Sequence, residues 1–165
     1  MRRDDAGVTA GHDGAQKMTE PMSPRLLVGV DGSPHASAAL QWALRHAEAL
    51  GAEVTAVFAW QMPLLSVPGA FDREELEKRA KQFLLEVVGS VAPSPVVPLT
   101  SYVAEGDPTE VLIKASDQAD LLILGTRGRS PFKGLLLGSV SQGCAAAALC
   151  PVVIVKQADN PAPRG

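Results

Sequence analysis

The chain has 165 residues, enough for one domain with a sizeable core, and a formal net charge of −3 from charges of both signs spread along it. Aromatic residues are only 4% of the sequence and no basic stripe is evident, so we expect no nucleic-acid partner. No segment is long and apolar enough to span a membrane, and the start lacks the apolar core of a signal peptide, so we expect a cytoplasmic protein without a membrane partner.

The composition divides the chain into a central domain with a tail at each end. Residues 1–24 are rich in Gly, Asp and small polar residues without a periodic apolar face, which predicts a disordered tail. Residues 25–156 are predicted to form the domain, and residues 157–165 a mobile, proline-bearing tail. The two cysteines, Cys144 and Cys150, are interpreted as reduced core residues, and His35 and His46 as solvated side chains of a helix.

The first predicted elements are a buried strand and a helix. The apolar run Arg25–Asp31 predicts the strand, which places Asp31 at its carboxyl end. Gly32 turns the chain, and Ser33 and Pro34 suit the N-cap and the first helical position. The helix is expected to end at Gly51. Its predicted buried face consists of Ala36, Ala39, Leu40, Ala43, Ala47 and Leu50.

Strands and helices alternate through the rest of the domain, which predicts an α/β fold with a parallel sheet and helices on both faces. In such sheets ligands bind beyond the carboxyl ends of the strands, where the strand order reverses. The further predicted elements are strand Glu53–Trp60, amphipathic helix Phe71–Val88, strand Val96–Glu105 with its start after Pro98, a helix from Asp107 to about Gln118, strand Leu121–Leu124, helix Ser139–Leu149 and strand Pro151–Lys156.

A basic, glycine-containing segment joins the fourth strand to the last helix, with the spacing Gly125-x2-Gly128-x9-Gly138-Ser139. Glycine lets the backbone approach a ligand, and the first N–H groups of a helix point at an anion, so the segment predicts a phosphate site. It matches neither a P-loop nor a dinucleotide fingerprint, and a long surface connection is the alternative interpretation. Further donors and positive charges in the segment come from Arg127, Arg129, Ser130 and Lys133.

This spacing resembles the nucleotide-binding signature G-x2-G-x9-G-[ST] of the universal stress protein family, in its ATP-binding branch. The resemblance extends to LLVGVDGS near the start and PVVIVK at the end, roughly residues 25–156. It implies a single-domain, five-stranded, Rossmann-like sheet of the adenine nucleotide alpha hydrolase-like type, with strand order 3-2-1-4-5. The order then reverses between the strands that end at Asp31 and Gly125, so both site features meet at the expected crevice.

The resemblance also implies a ligand, ATP with a divalent metal, Mg²⁺ or Mn²⁺. Asp31 would face the nucleotide and the main chain of Ala59 would pair with the adenine edge. From the residues alone, the alternative for Asp31 is a local helix cap, and the simpler interpretation of Ala59 is a small core residue. The remaining implied residues are Gly29 and Val30 beside Asp31, Gly125, Gly128, Gly138 and Ser139 at the phosphates and ribose, Ser130 and Val140 next to them, and Arg127, Arg129 and Lys133 as neutralising cations.

No positioned base, nucleophile dyad or carboxylate pair accompanies the glycine segment, although phosphoryl transfer needs a group that orients the attacking oxygen. The function predicted from the resemblance is therefore nucleotide-dependent regulation in stress survival, with at most slow ATP hydrolysis. Three alternatives stay open: an adenylate-transferring or pyrophosphatase enzyme, a cyclic AMP-binding protein, and an interaction module without nucleotide. The enzyme would carry a Ser-Gly-Gly-type loop where this chain has Asp31-Gly32-Ser33.

The last predicted strand, Pro151–Lys156, is apolar on both faces. An exposed edge of this kind favours pairing with another chain. The family resemblance implies that two copies pair antiparallel through it, so we expect a homodimer.

Overall fold

A computed structural model describes residues 23–63, 71–128 and 137–157. The two predicted tails lie outside these ranges except for residues 23, 24 and 157, and stay predictions. Strands and helices alternate throughout the described ranges. The elements are β1 (Arg25–Gly29), α1 (Pro34–Leu50), β2 (Glu53–Trp60), α2 (Arg73–Val91), β3 (Leu99–Glu105), α3 (Pro108–Ser116), β4 (Leu121–Gly125), α4 (Ser139–Ala147) and β5 (Val152–Val155).

The five strands form one sheet in the order β3-β2-β1-β4-β5, and every neighbouring pair is parallel. This confirms the predicted fold class and strand order. Because β1 lies between β2 and β4, the order reverses there, and a crevice opens beyond the carboxyl ends of β1 and β4. No helix in the described part of the chain is long and apolar enough to cross a membrane.

Each face of the sheet carries its own apolar cluster. Leu26 and Val28 of β1 point to the side covered by α1 and α2, whereas Leu27 points to the side covered by α3 and α4. Both faces of the central strands β1 and β4 are buried, which explains why these two strands are continuous apolar runs rather than alternating ones. Small side chains on α1 and α4 let these helices lie close to the sheet; Ala43 and Cys144 are completely buried.

The predicted buried face of α1 is confirmed at Ala36, Ala39, Leu40, Ala43 and Ala47. It is wrong at Leu50, whose side chain is 57% exposed. The helix ends at Leu50, and Gly51 turns the chain away in the left-handed conformation (φ +61). Position 50 therefore lies at the rim of the core rather than over it.

Several predicted boundaries shift because backbone pairing or a cap ends the element elsewhere. Strand β1 ends at Gly29, so Asp31 lies in the following turn, where its Oδ1 accepts a hydrogen bond from Ser33 N (2.9 Å). Helix α2 begins after Asp72, whose carboxylate accepts from Glu74 N (2.9 Å). Three elements are shorter than expected: α3 ends at Ser116, α4 at Ala147, and β5 spans only the residues that pair with β4.

Two helical glycines are expected to respond in opposite ways to replacement by alanine, because Gly143 of α4 packs against α3 whereas Gly89 of α2 is unhindered. A Cβ at Gly143 would lie 2.5 Å from Thr109 Cγ2, whereas a Cβ at Gly89 of α2 would meet nothing within 4 Å. Replacing an unhindered helical glycine by alanine stabilises by about 0.5–1 kcal/mol, and overpacking costs roughly 1–3 kcal/mol. We expect Gly89→Ala to raise the free energy of unfolding in urea and Gly143→Ala to lower it.

The paired control is Thr109→Ser, which removes the Cγ2 methyl group. Added to Gly143→Ala, it should recover most of the lost stability. The packing argument is wrong if Gly143→Ala stabilises the protein as much as Gly89→Ala does.

Candidate functional site

A cavity of about 390 Å³ lies at the crevice between the ends of β1 and β4. Its wall combines the turn after β1, the end of β2, the start of α3 and the first turn of α4. All predicted site residues within the described ranges line it: Gly29, Val30, Asp31, Ala59, Gly125, Arg127, Gly128, Gly138, Ser139 and Val140. The predicted contributions of Arg129, Ser130 and Lys133 fall outside the described residues.

The two ends of the glycine segment meet at the cavity. Gly138 N donates a hydrogen bond to Thr126 O at 2.8 Å. A Cβ at Gly138 would lie 3.5 Å from Arg127 Cα and 3.7 Å from Gly128 N, which is ordinary contact. The backbone after β4 and the start of α4 therefore form one continuous wall.

Asp31 closes this wall from the β1 side. A Cβ at Gly128 would lie 2.5 Å from Asp31 Oδ2, so a side chain there would displace the carboxylate from its position beside the loop backbone. The other carboxylate oxygen, Oδ1, accepts from Ser33 N, which holds the turn into α1. Asp31 is therefore a local turn residue and also a carboxylate on the cavity wall.

Gly125 has a packing role that the spacing of the motif does not reveal. A Cβ there would lie 2.6 Å from the carbonyl carbon of His35 and 2.7 Å from its oxygen. Backbone atoms in the first turn of α1 cannot move aside, so only glycine fits at the end of β4. The packing of α1 against β4 is sufficient to explain the glycine at position 125, whether or not its amide also contacts a ligand.

The start of α4 differs from the starts of the other helices. Helices α1, α2 and α3 are capped by the side chains of Ser33, Asp72 and Asp107. Helix α4 begins after Gly138, which has no side chain, and none of the residues that the structure describes caps it; Ser139 and Val140 of its first turn lie on the cavity. Unsatisfied N–H groups and the positive end of the helix dipole favour an anion at this position.

The cavity wall also has an apolar part, formed by Val57, Pro108, Leu112 and Leu124. These residues come from β2, α3 and β4 and leave a slot without charged side chains. Planar apolar ligands such as a purine ring fit a site of this type, in which a few polar groups provide orientation.

The main chain of Ala59 supplies polar groups to this slot. Val30 N bonds to Val57 O (2.9 Å) and Gly106 N bonds to Trp60 O (2.9 Å), so odd-numbered β2 residues face β1 and even-numbered ones face β3. Pairing between β1 and β2 ends at Gly29 and Val57. The N–H and C=O of Ala59 consequently point past the end of β1, and no backbone group of the described residues bonds to them.

Two side-chain contacts that were not predicted hold the end of β4. Ser141 Oγ, buried in the first turn of α4, donates to Gly125 O at 2.7 Å. The half-buried ring of His35 contacts Thr126, with 3.3 Å between Nδ1 and Oγ1. The interpretation of His35 as solvated is therefore wrong, because α1 begins directly against β4. His46 is exposed as expected and stacks on Trp42.

The cysteines do not contribute reactive groups. Both are free thiols; Cys144 is buried and Cys150 half-buried. Burial, with a smaller contribution from the Asp107 carboxylate, raises the pKa of the Cys144 thiol to about 11. Burial also raises the pKa of Cys150. Neutral thiols are poor nucleophiles and metal ligands, and no three His, Cys, Asp or Glu side chains within the described ranges are grouped to hold a metal ion.

Comparison with known proteins identifies relatives along most of the chain. The model of the universal stress protein family matches residues 22–156. Universal stress protein Rv2005c of Mycobacterium tuberculosis is 33% identical over 159 residues, which is 95% of this chain and 54% of the relative. A universal stress protein of Thermus aquaticus is 32% identical over 137 residues, which is 82% of this chain and 100% of the relative. The chain thus spans about half the length of its mycobacterial relatives and the whole length of the Thermus one.

Solved structures share the fold at lower identity. Universal stress protein UspA from Lactobacillus plantarum superposes with a TM-score of 0.68 at 23% identity, covering 82% of this chain and 99% of that one. The Archaeoglobus fulgidus protein in complex with dAMP gives 0.60 at 21% identity, covering 81% and 98%. The Arabidopsis thaliana protein with AMP bound gives 0.59 at 19% identity, covering 86% and 96%. The parallel sheet, the family match and the relatives agree: the chain belongs to the universal stress protein family.

Proposed function

We propose that the protein binds ATP, together with Mg²⁺ or Mn²⁺, and acts as a nucleotide-dependent regulator in stress survival. The observation that carries the proposal is the uncapped N-terminus of α4, which faces the same cavity as an apolar slot and the open main chain of Ala59. Phosphate and purine need these two environments side by side. The family's glycine spacing, complete in this chain, supports the triphosphate as the ligand.

The base would lie in the slot between Val57, Pro108 and Leu112. Adenine presents an acceptor at N1 and a donor at N6, which complement the N–H and C=O of Ala59. A main-chain pair of this kind works with any side chain, so alanine suits the position. Two proteins of the same fold were solved with adenine nucleotides that have one phosphate, dAMP and AMP. These complexes support adenine as the base more directly than they support a triphosphate.

The metal would enter with the phosphates. Mg²⁺ is commonly held by one or two carboxylates plus phosphate oxygens and water. Asp31 is the carboxylate on the described part of the cavity wall and is already close to Gly128. Asp31 would help to hold such a metal when the nucleotide is bound, and no group of three His, Cys, Asp or Glu side chains among the described residues could hold one without the nucleotide. Arg127, exposed beside Gly128, would add positive charge at the phosphates.

Binding is favoured over rapid turnover. Among the described residues of the cavity wall, no His, Lys or Cys side chain is present to activate a nucleophile. Binding, orientation and exchange of the nucleotide are then the events that change the protein, and hydrolysis is at most slow.

Gly138 offers a direct test of the phosphate site. Its backbone (φ −71, ψ 162) suits any residue, and a Cβ there makes only ordinary contacts. Aspartate at this N-cap would satisfy the first amides of α4 and repel phosphate, so we expect Gly138→Asp to weaken ATP binding by roughly tenfold or more at low salt. Isothermal titration calorimetry of ATP and AMP would measure the loss.

Gly138→Asn is the matched control, because asparagine has the same size and caps equally well without the charge. Asparagine should reduce the ATP affinity less than aspartate does. For both variants the urea concentration at the midpoint of unfolding should be at least as high as for the wild type. Unchanged ATP affinity in Gly138→Asp would contradict a phosphate at α4. An intact wild-type protein that binds no adenine nucleotide would defeat the proposed function itself.

We also propose a homodimer formed by antiparallel pairing of β5. This strand is the outer neighbour of β4 in the sheet. Leu122 N bonds to Pro151 O and Thr126 N to Val155 O, so residues 151, 153 and 155 face β4. Val152 and Ile154 consequently turn their N–H and C=O groups to the outer edge, which is the pattern that strand addition uses.

Removing one edge donor tests the dimer. Ile154→Pro eliminates an outward N–H while leaving the bonds to β4, so we expect a folded monomer. Ile154→Val keeps the N–H and should remain dimeric. Light scattering at high micromolar protein concentration gives the mass. A wild-type monomer, or a dimer that survives the proline, would refute this interface.

A further inference from the structure

Thr126 connects four elements at the edge of the cavity. Its N–H donates to Val155 O at the end of β5 (3.1 Å), and its C=O accepts from Gly138 N at the start of α4 (2.8 Å). Its hydroxyl contacts the Nδ1 of His35 on α1 at 3.3 Å. Thr126 itself follows β4 directly. The position of this one residue therefore sets where the amides of α4 begin.

His35 is well suited to hold Thr126 in place. It is the second residue of α1, and its backbone packs against Gly125 so closely that no Cβ would fit between them. The buried alanine face anchors α1 to the sheet, so the His35 ring starts from a fixed backbone. The hydroxyl of Thr126 thus contacts a helix that is anchored in the core, while its carbonyl accepts from Gly138 N.

We propose that His35 is a positioning residue for the nucleotide site, acting through Thr126 on the Gly138 amide and the N-terminus of α4. The ligand in this inference rests on the proposed function, whereas the contact between His35 and Thr126 does not. Donors must be held within about 0.5 Å to bind an anion well, and the first turn of α4 has no side-chain cap to fix it. His35 is not among the residues that line the cavity, so it would act by holding Thr126, whose carbonyl accepts from Gly138 N.

The fold does not depend on this contact. Ser141 Oγ independently ties α4 to Gly125 O, and the backbone bond of Thr126 to Val155 joins β4 to β5. Variants that lose only the contact between the His35 and Thr126 side chains should fold. They should differ from the wild type in how precisely the Gly138 amide and the start of α4 are positioned.

The test compares variants in calorimetric titrations with AMP. Thr126→Val and His35→Leu each remove one partner, and we expect each to weaken binding by roughly three- to tenfold, the usual worth of one hydrogen bond. Thr126→Ser and His35→Asn keep a hydrogen-bonding group and should recover most of the affinity. The double variant should lose no more than either single one. His46→Leu, on the exposed part of the same helix, is the matched control and should bind normally.

A second readout needs no ligand. Because the Gly138 amide donates to Thr126, its hydrogen exchange, measured by NMR in nucleotide-free protein, should accelerate in His35→Leu and Thr126→Val and not in His46→Leu. Unchanged exchange at Gly138, or additive losses in the double variant, would overturn the positioning role. If the wild type binds no AMP or ATP, the proposed function fails, while the exchange at Gly138 still decides whether His35 positions the helix.

Discussion

The site depends on one backbone hydrogen bond, from Gly138 N to Thr126 O (2.8 Å). It joins the end of β4 to the start of α4 across a segment of eleven intervening positions (127–137). It holds the first amides of α4 against the loop after β4, and the Ser141 hydroxyl ties the same helix turn to Gly125 O. The parallel sheet provides the setting, because it brings the ends of β1, β2 and β4 to one edge, where Asp31 and Ala59 complete the cavity.

The three glycines of the motif have three different physical reasons. Gly125 lets β4 lie against the backbone of His35, and Gly128 leaves room for the Asp31 carboxylate. Gly138 meets no obstacle; what it provides is the lack of a side chain that would cap α4. A spacing pattern alone treats them as equivalent phosphate contacts. Only the last would be explained by the proposed ligand, so we expect substitutions at the three positions to perturb packing, loop closure and anion binding separately.

Most of the fold could be predicted from local patterns. Apolar runs, Ser33-Pro34 and Gly51 identify β1 and the ends of α1, and the alternation of elements gives the parallel sheet. The strand order came from the family resemblance. Boundaries that depend on pairing with a neighbour, as for β1 and β5, could not be set from one segment at a time. Thr126, Ser141 and the contact of His35 were missed because each rests on a contact between residues distant in sequence.

The missing cap on α4 has a thermodynamic consequence. No side chain among the described residues caps this helix end, so an anion bound there would complete it, and the proposed nucleotide would become part of what keeps the native state folded. At a ligand concentration a hundred times the dissociation constant, this linkage adds about 2.7 kcal/mol to the unfolding free energy. The lifetime of the protein against proteolysis would then follow the cell's supply of ATP. This lifetime would shorten when ATP is depleted.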